Sequence, residues 1–164
     1  MPYIADLTPC SDFGEGTGTM LAVGWVDHRH PPSRGTVKPA FVSRLVELLV
    51  NPWQPAQTLG WHDCTFCRLT RGPTSFEYGG AKVSIGTSNL FVPGRGCVYI
   101  APSLILHFMD SHGYAPPAEF IKAVLGCPPM RSAEYHRALA SVAPAWLNSA
   151  HSAPRRRRLT GSGR

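Results

Sequence analysis

The sequence contains no apolar run long enough to cross a bilayer. The longest run, Cys97 to Met109, is interrupted by Pro102 and His107 and is much shorter than the ~20 residues a membrane-spanning helix needs. The first six residues, Met1 to Asp6, have neither a basic start nor an apolar stretch, so we expect no signal peptide. These absences predict a cytoplasmic protein with no membrane partner.

The 164 residues include five cysteines, an odd number. In a reducing compartment thiols stay unpaired, so a framework of disulfides is not expected. The cysteines are therefore predicted to be metal ligands or buried thiols.

Charged residues are also few, at 16% of the chain against 43% hydrophobic residues, which predicts a globular domain with a real core. The net charge of +6 suggests nucleic-acid binding, but five of the sixteen basic side chains lie in the last ten residues. Without them 11 basic side chains stand against 10 acidic ones, so the body is near +1. Any binding to nucleic acid is expected to be weak, salt-sensitive and due to Arg155, Arg156, Arg157 and Arg158.

Proline and glycine, sixteen of each, are spread between apolar runs and predict many short elements. Strands are predicted for residues 19–26, 74–78, 81–85, 90–93 and 97–101, and helices from Pro39, Pro102, Pro116 and Ser132. This order predicts an α+β fold in which short antiparallel strands, joined as hairpins in a meander, pack with three or four helices around a zinc knuckle. We expect one zinc-binding domain over residues 1–148 and a disordered basic tail over 149–164.

Three metal-donor residues lie within six positions, in the segment His62-Asp63-Cys64-Thr65-Phe66-Cys67. In an extended segment His62 and Cys64 point to the same side, and a tight turn returns Cys67 to that side. Sulfur and nitrogen donors are those that zinc prefers in tetrahedral sites. The segment therefore predicts three ligands of a Zn²⁺ ion.

The fourth ligand is expected to be His107, because a buried imidazole in an apolar helix is costly without a partner. His112, Cys97 and His30 are the alternatives. His112 lies five residues after His107, about 140° around a regular helix, so we expect the two not to share an ion. Instead, His112 is interpreted as a cation or cap near the helix C-terminus.

Other motifs are weaker. Cys64 and Cys67 could form a redox couple, but the residues after Cys67 are a poor helix start, and redox pairs use a helix N-terminus. The glycine-rich segment 14–18 contains no lysine and opens no helix, which favours a mobile loop over a phosphate-binding one. A deaminase would need glutamate where Cys64 stands.

Four stretches together resemble a family of small, uncharacterised bacterial proteins: Val23-Gly24-Trp25 with His30-Pro31, residues 60–67, residues 99–108 and residues 112–120. The shared patterns are Gly-x-His-x-Cys-x-x-Cys, an Ala-Pro-x-Leu-Ile-x-His helix and a following Pro-Pro-x-x-Phe helix. The resemblance covers about residues 3–135, and it implies an architecture but no reaction. The polar stretch 68–80 looks like an insertion relative to that family.

Three functions compete. A closed site in a nearly neutral body favours an interaction module that binds a protein or peptide. A zinc-dependent hydrolase would use only His62, Cys64 and Cys67, leaving an open position for water, with Glu77 or Asp110 as the base. A nucleic-acid binder would depend on the arginine tail.

Overall fold

The computed structural model describes residues 2–13, 19–55 and 61–147, which contain a mixture of four α-helices and five short strands. In chain order these elements are β1 (Met20–Ala22), α1 (Pro39–Val50), β2 (Ser75–Tyr78), β3 (Ala81–Ser84), β4 (Asn89–Pro93), β5 (Val98–Pro102), α2 (Ile105–His112), α3 (Ala118–Gly126) and α4 (Ala133–Ala140). The expected α+β class is confirmed. Within the same ranges no helix is long and apolar enough to span a membrane. The predicted tail, including the arginine run 155–158, and the loop 14–18 lie outside the described residues.

A three-stranded sheet in the order β1-β5-β4 forms the centre of the core. Strands β4 and β5 form the expected hairpin, with Asn89 opposite Pro102 and Pro93 opposite Val98. Strand β1 runs parallel to β5, with Met20 opposite Val98, so the expectation of antiparallel strands throughout is wrong here. Parallel neighbours need a long crossover, which α1 and the β2–β3 hairpin supply.

The second sheet is the two-stranded hairpin β2–β3, which turns at Gly79 and Gly80. Both glycines have positive φ, 57° and 81°, as a tight two-residue hairpin turn requires. Val83 of β3 is fully buried, and the hairpin packs against α1 through this strand. The hairpin is thus attached to the body on its β3 side.

The helices bury the faces that their apolar spacing predicts, with one exception. Pro39 occupies the first turn of α1, and Phe41, Leu45 and Leu49 are buried at helical spacing. The exception is Leu125 of α3, an apolar side chain that is 50% exposed. Its neighbour Val124 is buried, and consecutive residues differ by about 100° around a helix, so only one of the two faces the core.

The outer strands of the three-stranded sheet are covered. At Asn89, the first residue of β4, the Gln54 side chain takes the place of a neighbouring strand: its Nε2 donates to the Asn89 carbonyl at 2.6 Å and its Oε1 accepts from the Asn89 N–H at 3.2 Å. On the other side, the Cys10 N–H donates to the Met20 carbonyl at 2.8 Å, so the N-terminal segment pairs with β1. Covering edges in this way protects a sheet from unwanted pairing.

Ser132 caps α4, since its Oγ accepts a hydrogen bond from the Tyr135 N–H at 3.1 Å. We expect Ser132→Ala to lower the free energy of unfolding by about 1 kcal/mol, because an N–H of the first turn loses its partner. Urea unfolding measures the change. Ser43→Ala, at an exposed position inside α1, serves as the control and should stay within about 0.5 kcal/mol of the wild type. Equal effects of the two substitutions would contradict the role of the cap.

Candidate metal centre

The segment 61–72, called the knuckle loop, holds two cysteines in a closed turn. The Cys64 N–H donates to the Arg71 carbonyl at 2.7 Å, and the Arg71 N–H donates to the Cys67 carbonyl at 3.1 Å. These bonds tie the end of the loop to its beginning. Arg71 and Gly72 have positive φ, 58° and 90°, and so the chain reverses at this point.

Helix α2 faces the knuckle loop with two imidazoles. His107 lies in the buried apolar part of the helix and is 4% exposed, and His112 is its last residue and is half-buried. Phe66 of the loop packs on Phe108 and His112, with ring centroids 5.9 and 4.9 Å apart. Aromatic packing therefore brings the loop and the helix together.

Two sulfurs and two nitrogens converge between these elements. The ligand atoms of Cys64, Cys67, His107 and His112 all lie within 4.8 Å of one another, so the four residues are positioned to hold a metal ion. Cys64 Sγ lies 3.3 Å from His112 Nε2, Cys67 Sγ lies 3.3 Å from His107 Nε2, and the two Nε2 atoms are 3.1 Å apart. A tetrahedral zinc would set a nitrogen pair about 3.3 Å apart and a sulfur–nitrogen pair about 3.6 Å apart.

His112 belongs to this group although a regular helix would place it on a different side from His107. The reason is the end of α2. The Gly113 N–H donates to the Phe108 carbonyl, five residues earlier instead of four, and Gly113 is left-handed with φ 66° and ψ 23°. A five-residue bond widens the last turn as in a π-helix, which reduces the angle between residues five apart. The sequence signal that could have found this is the glycine directly after His112.

His62, predicted as a ligand, lies outside the group of four. Its N–H donates to the Gly86 carbonyl at 2.8 Å, and its ring packs edge-on against Trp25 at 6.2 Å. The Cys64 N–H bonds to Arg71 instead, so His62 and Cys64 do not continue one straight strand. The rule that alternate residues share a side therefore fails at this point. The structure brings together the other three expected donors, Cys64, Cys67 and His107.

The remaining candidates for the fourth ligand also lie elsewhere. His30 Nδ1 is 2.9 Å from the buried Asp27 Oδ1, and its ring stacks on Tyr3 at 3.8 Å. Cys97 is buried beside the turn between β4 and β5. Neither residue belongs to the group of four donors.

The environment of the site favours the neutral form of its two imidazoles. Burial lowers the pKa of His107 and that of His112. The neighbouring His112 ring adds to the lowering of the His107 pKa, which Asp110 opposes, and Arg34 adds to the lowering of the His112 pKa. Neutral imidazoles are the form that binds metal. Burial raises the pKa of the Cys64 thiol to about 11, although N–H groups of Phe66 and Cys67 donate to its sulfur. A bound cation is what would favour the thiolate at this position.

A family model described as "Domain of unknown function (DUF7919)" matches residues 2–125, which include the knuckle loop and α2. The chain belongs to this family. The expected membership of an uncharacterised family is thereby confirmed. No curated protein and no solved structure matches the chain.

Replacing His62 and His112 in turn shows which of these two histidines is a metal ligand. We expect His112→Ala to lose most of the bound metal, because it removes one of four converging donors, and His62→Ala to keep it. Metal content per chain, measured by elemental analysis after extensive dialysis, checks this. The reverse pattern would show that His62 and not His112 is the ligand.

Gly72 lies against the site at a distance that excludes a side chain. A Cβ added there would lie 2.8 Å from the Cys64 Cβ, so the loop would have to move. We expect Gly72→Ala to weaken metal binding at least about tenfold, since ligand geometry depends on its support. Gly79→Ala is the matched control, because Gly79 also has positive φ, 57°, but would meet nothing within 4 Å. Competition with a chelator measures both affinities, and equal losses would contradict the steric explanation.

Proposed function

We propose that Cys64, Cys67, His107 and His112 bind one Zn²⁺ in a closed structural site, and that the zinc-stabilised domain is an interaction module for a protein or peptide partner. The observation that carries the proposal is the convergence of four donor atoms within 4.8 Å from two segments distant in sequence. Such a site joins the knuckle loop to α2.

The donor set favours zinc over other metals. Two sulfurs and two imidazole nitrogens in tetrahedral array suit zinc, whereas calcium and magnesium prefer oxygen. Two thiolates would neutralise the charge of Zn²⁺, which reduces the cost of placing the ion among buried groups such as Cys64 and His107. Zinc-bound thiolates also need a reducing compartment, which is consistent with the proposed cytoplasmic location.

Four protein donors favour a structural role, because a catalytic zinc keeps one position for water. The two side chains considered as a catalytic base also argue against a hydrolase. Glu77 is ion-paired with Lys82 on the hairpin, at 3.1 Å, and Asp110 is exposed and accepts a hydrogen bond from the Ser111 hydroxyl. A hydrolase would require one of the four donors to remain unbound.

Family membership supports an architecture and leaves the activity undefined, so the interaction role is inferred from the closed site. The bacterial origin and the individual motifs expected of the family stay predictions. The same holds for binding of nucleic acid through Arg155–Arg158, which lie outside the described residues.

Removing the metal tests the structural role. The purified protein should contain one zinc per chain, and a strong chelator should unfold it at 25 °C. Structural zinc contributes about 10–16 kcal/mol of binding free energy, comparable with the whole stability of a domain. Circular dichroism before and after chelation, and after zinc is restored, measures the effect.

Two outcomes would contradict the structural role. The first is removal of zinc by the chelator without a change in the melting temperature. The second is a His112→Ala variant that retains one tightly bound zinc at wild-type stability. The second result would indicate an open position and favour the hydrolase. Cys127→Ala, a buried thiol outside the group of four, controls for the general effect of losing a cysteine.

A further inference from the structure

We propose that the outer edge of β2 binds an extended peptide of a partner protein as an added strand, with one apolar side chain of the peptide in a cavity beside Phe76 and Tyr78. This inference rests on the proposed function, since it names the surface and the partner class of the interaction module. Two independent features support it: an unpaired strand edge, and an apolar cavity next to that edge.

The first feature is the hydrogen-bonding state of β2. The Ile85 N–H donates to the Thr74 carbonyl at 3.1 Å, which makes these two residues a hydrogen-bonded pair of the hairpin. Hydrogen-bonded pairs recur at every second residue, so the main-chain groups of Ser75 and Glu77 point away from β3. Neither residue has a main-chain hydrogen bond on that side to any part of the chain that the structure describes.

This open edge contrasts with the other sheet, in which the Gln54 side chain occupies the edge of β4 and the N-terminal segment occupies that of β1. The donors and acceptors of Ser75 and Glu77 alternate at strand spacing. A peptide in extended conformation satisfies both kinds of group at once, which is the basis of recognition by strand addition.

The second feature is a cavity of about 150 Å³ between β2, α1 and α2. Its walls include the half-buried rings of Phe76 and Tyr78, which stack at 6.5 Å, together with Val42 and Met109 from the two helices. An apolar cavity of this size accommodates a group as large as benzene. A medium-sized apolar side chain of the peptide therefore fits it.

Charge around the cavity specifies the peptide further. Asp110 lines the cavity and is exposed, and no ion pair with a described cation neutralises it. Glu77 is already paired with Lys82 across the hairpin at 3.1 Å. A lysine or arginine in the peptide, next to the apolar residue, would complement Asp110.

A second copy of the chain is a poorer occupant of the same edge. Pairing β2 with β2 of another molecule would bring two Glu77 side chains, each 70% exposed, close together. Like charges at neighbouring positions of a sheet oppose pairing. The edge is therefore assigned to a different chain with a basic residue.

Proline at position 77 blocks the edge selectively. Glu77→Pro removes an outward N–H and adds a ring there, and it leaves the bonds between β2 and β3 in place because they belong to the neighbouring residues. Ser84→Pro is the matched control, since Ser84 points its main-chain groups outward on the opposite edge of the same hairpin. Zinc content and melting temperature are measured for both variants, so that loss of the metal site is recognised separately.

The probe is a phage-displayed library of random linear dodecapeptides, selected on the zinc-loaded wild type and followed by fluorescence titration with one enriched peptide. We expect enriched sequences in which apolar residues alternate and a basic residue is present. Affinity should fall at least about tenfold in Glu77→Pro and remain within about twofold in Ser84→Pro. Hydrogen exchange of the Ser75 and Glu77 amides should slow when the peptide binds.

Each other outcome overturns the inference. These outcomes are a folded, zinc-loaded protein that enriches no peptide, an enriched peptide with apolar residues at helical spacing, and equal binding to wild type and Glu77→Pro. A concentration-dependent dimer that Glu77→Pro abolishes would assign the edge to a second copy instead. These results concern peptide binding and not zinc content. The structural metal site is tested separately, by chelation and by His112→Ala.

Discussion

The contact between the knuckle loop and α2 is the constraint on which this part of the molecule depends. The loop contains no regular helix or strand, and its two cysteines are held by a few main-chain bonds. The packing of Phe66 on Phe108 and the convergence of two sulfurs with two imidazole nitrogens join the loop to α2, and the bond from the His62 N–H to the Gly86 carbonyl joins its first residues to the rest of the body. A bound cation would link the loop to α2 through its bonds to the four donor atoms, in a protein whose described strands are at most five residues long.

Helix α2 is held in place by the core, and so the contact with the knuckle loop forms on a fixed element. It follows β5 closely, and β5 is buried along its whole length as the central strand of the sheet. Ser103, between the strand and the helix, is itself buried and accepts a hydrogen bond from the Gly86 N–H at 3.0 Å. His107 is thus held by the core, whereas the cysteines come from the surface loop. The site forms where a rigid element meets an irregular one.

Local features of the fold could be predicted from the sequence, because their causes are local. The proline that opens α1, the two glycines of the β2–β3 turn and the cap at Ser132 each act through a neighbouring residue. The parallel pairing of β1 with β5 could not be predicted, since the alternation of apolar residues identifies a strand but not the strand with which it pairs. The exchange of His62 for His112 in the group of donors has a similar cause. It depends on one widened helical turn at Gly113 and on a core contact at Trp25, and neither follows from average helix or strand geometry.

The knuckle loop leads almost directly into the hairpin, since only Pro73 and Thr74 separate Gly72 from the first residue of β2. The connection between the two segments is therefore very short, and Pro73 restricts its backbone φ. Binding of an ion at Cys64 would order the knuckle loop, and binding of a peptide strand would order β2. Each event would then reduce the conformational entropy that the other has to remove. By thermodynamic reciprocity, a partner peptide would then tighten the hold on the metal by the same factor by which the metal strengthens binding of the peptide. A cell's zinc supply would in that way set how much of its partner the protein retains.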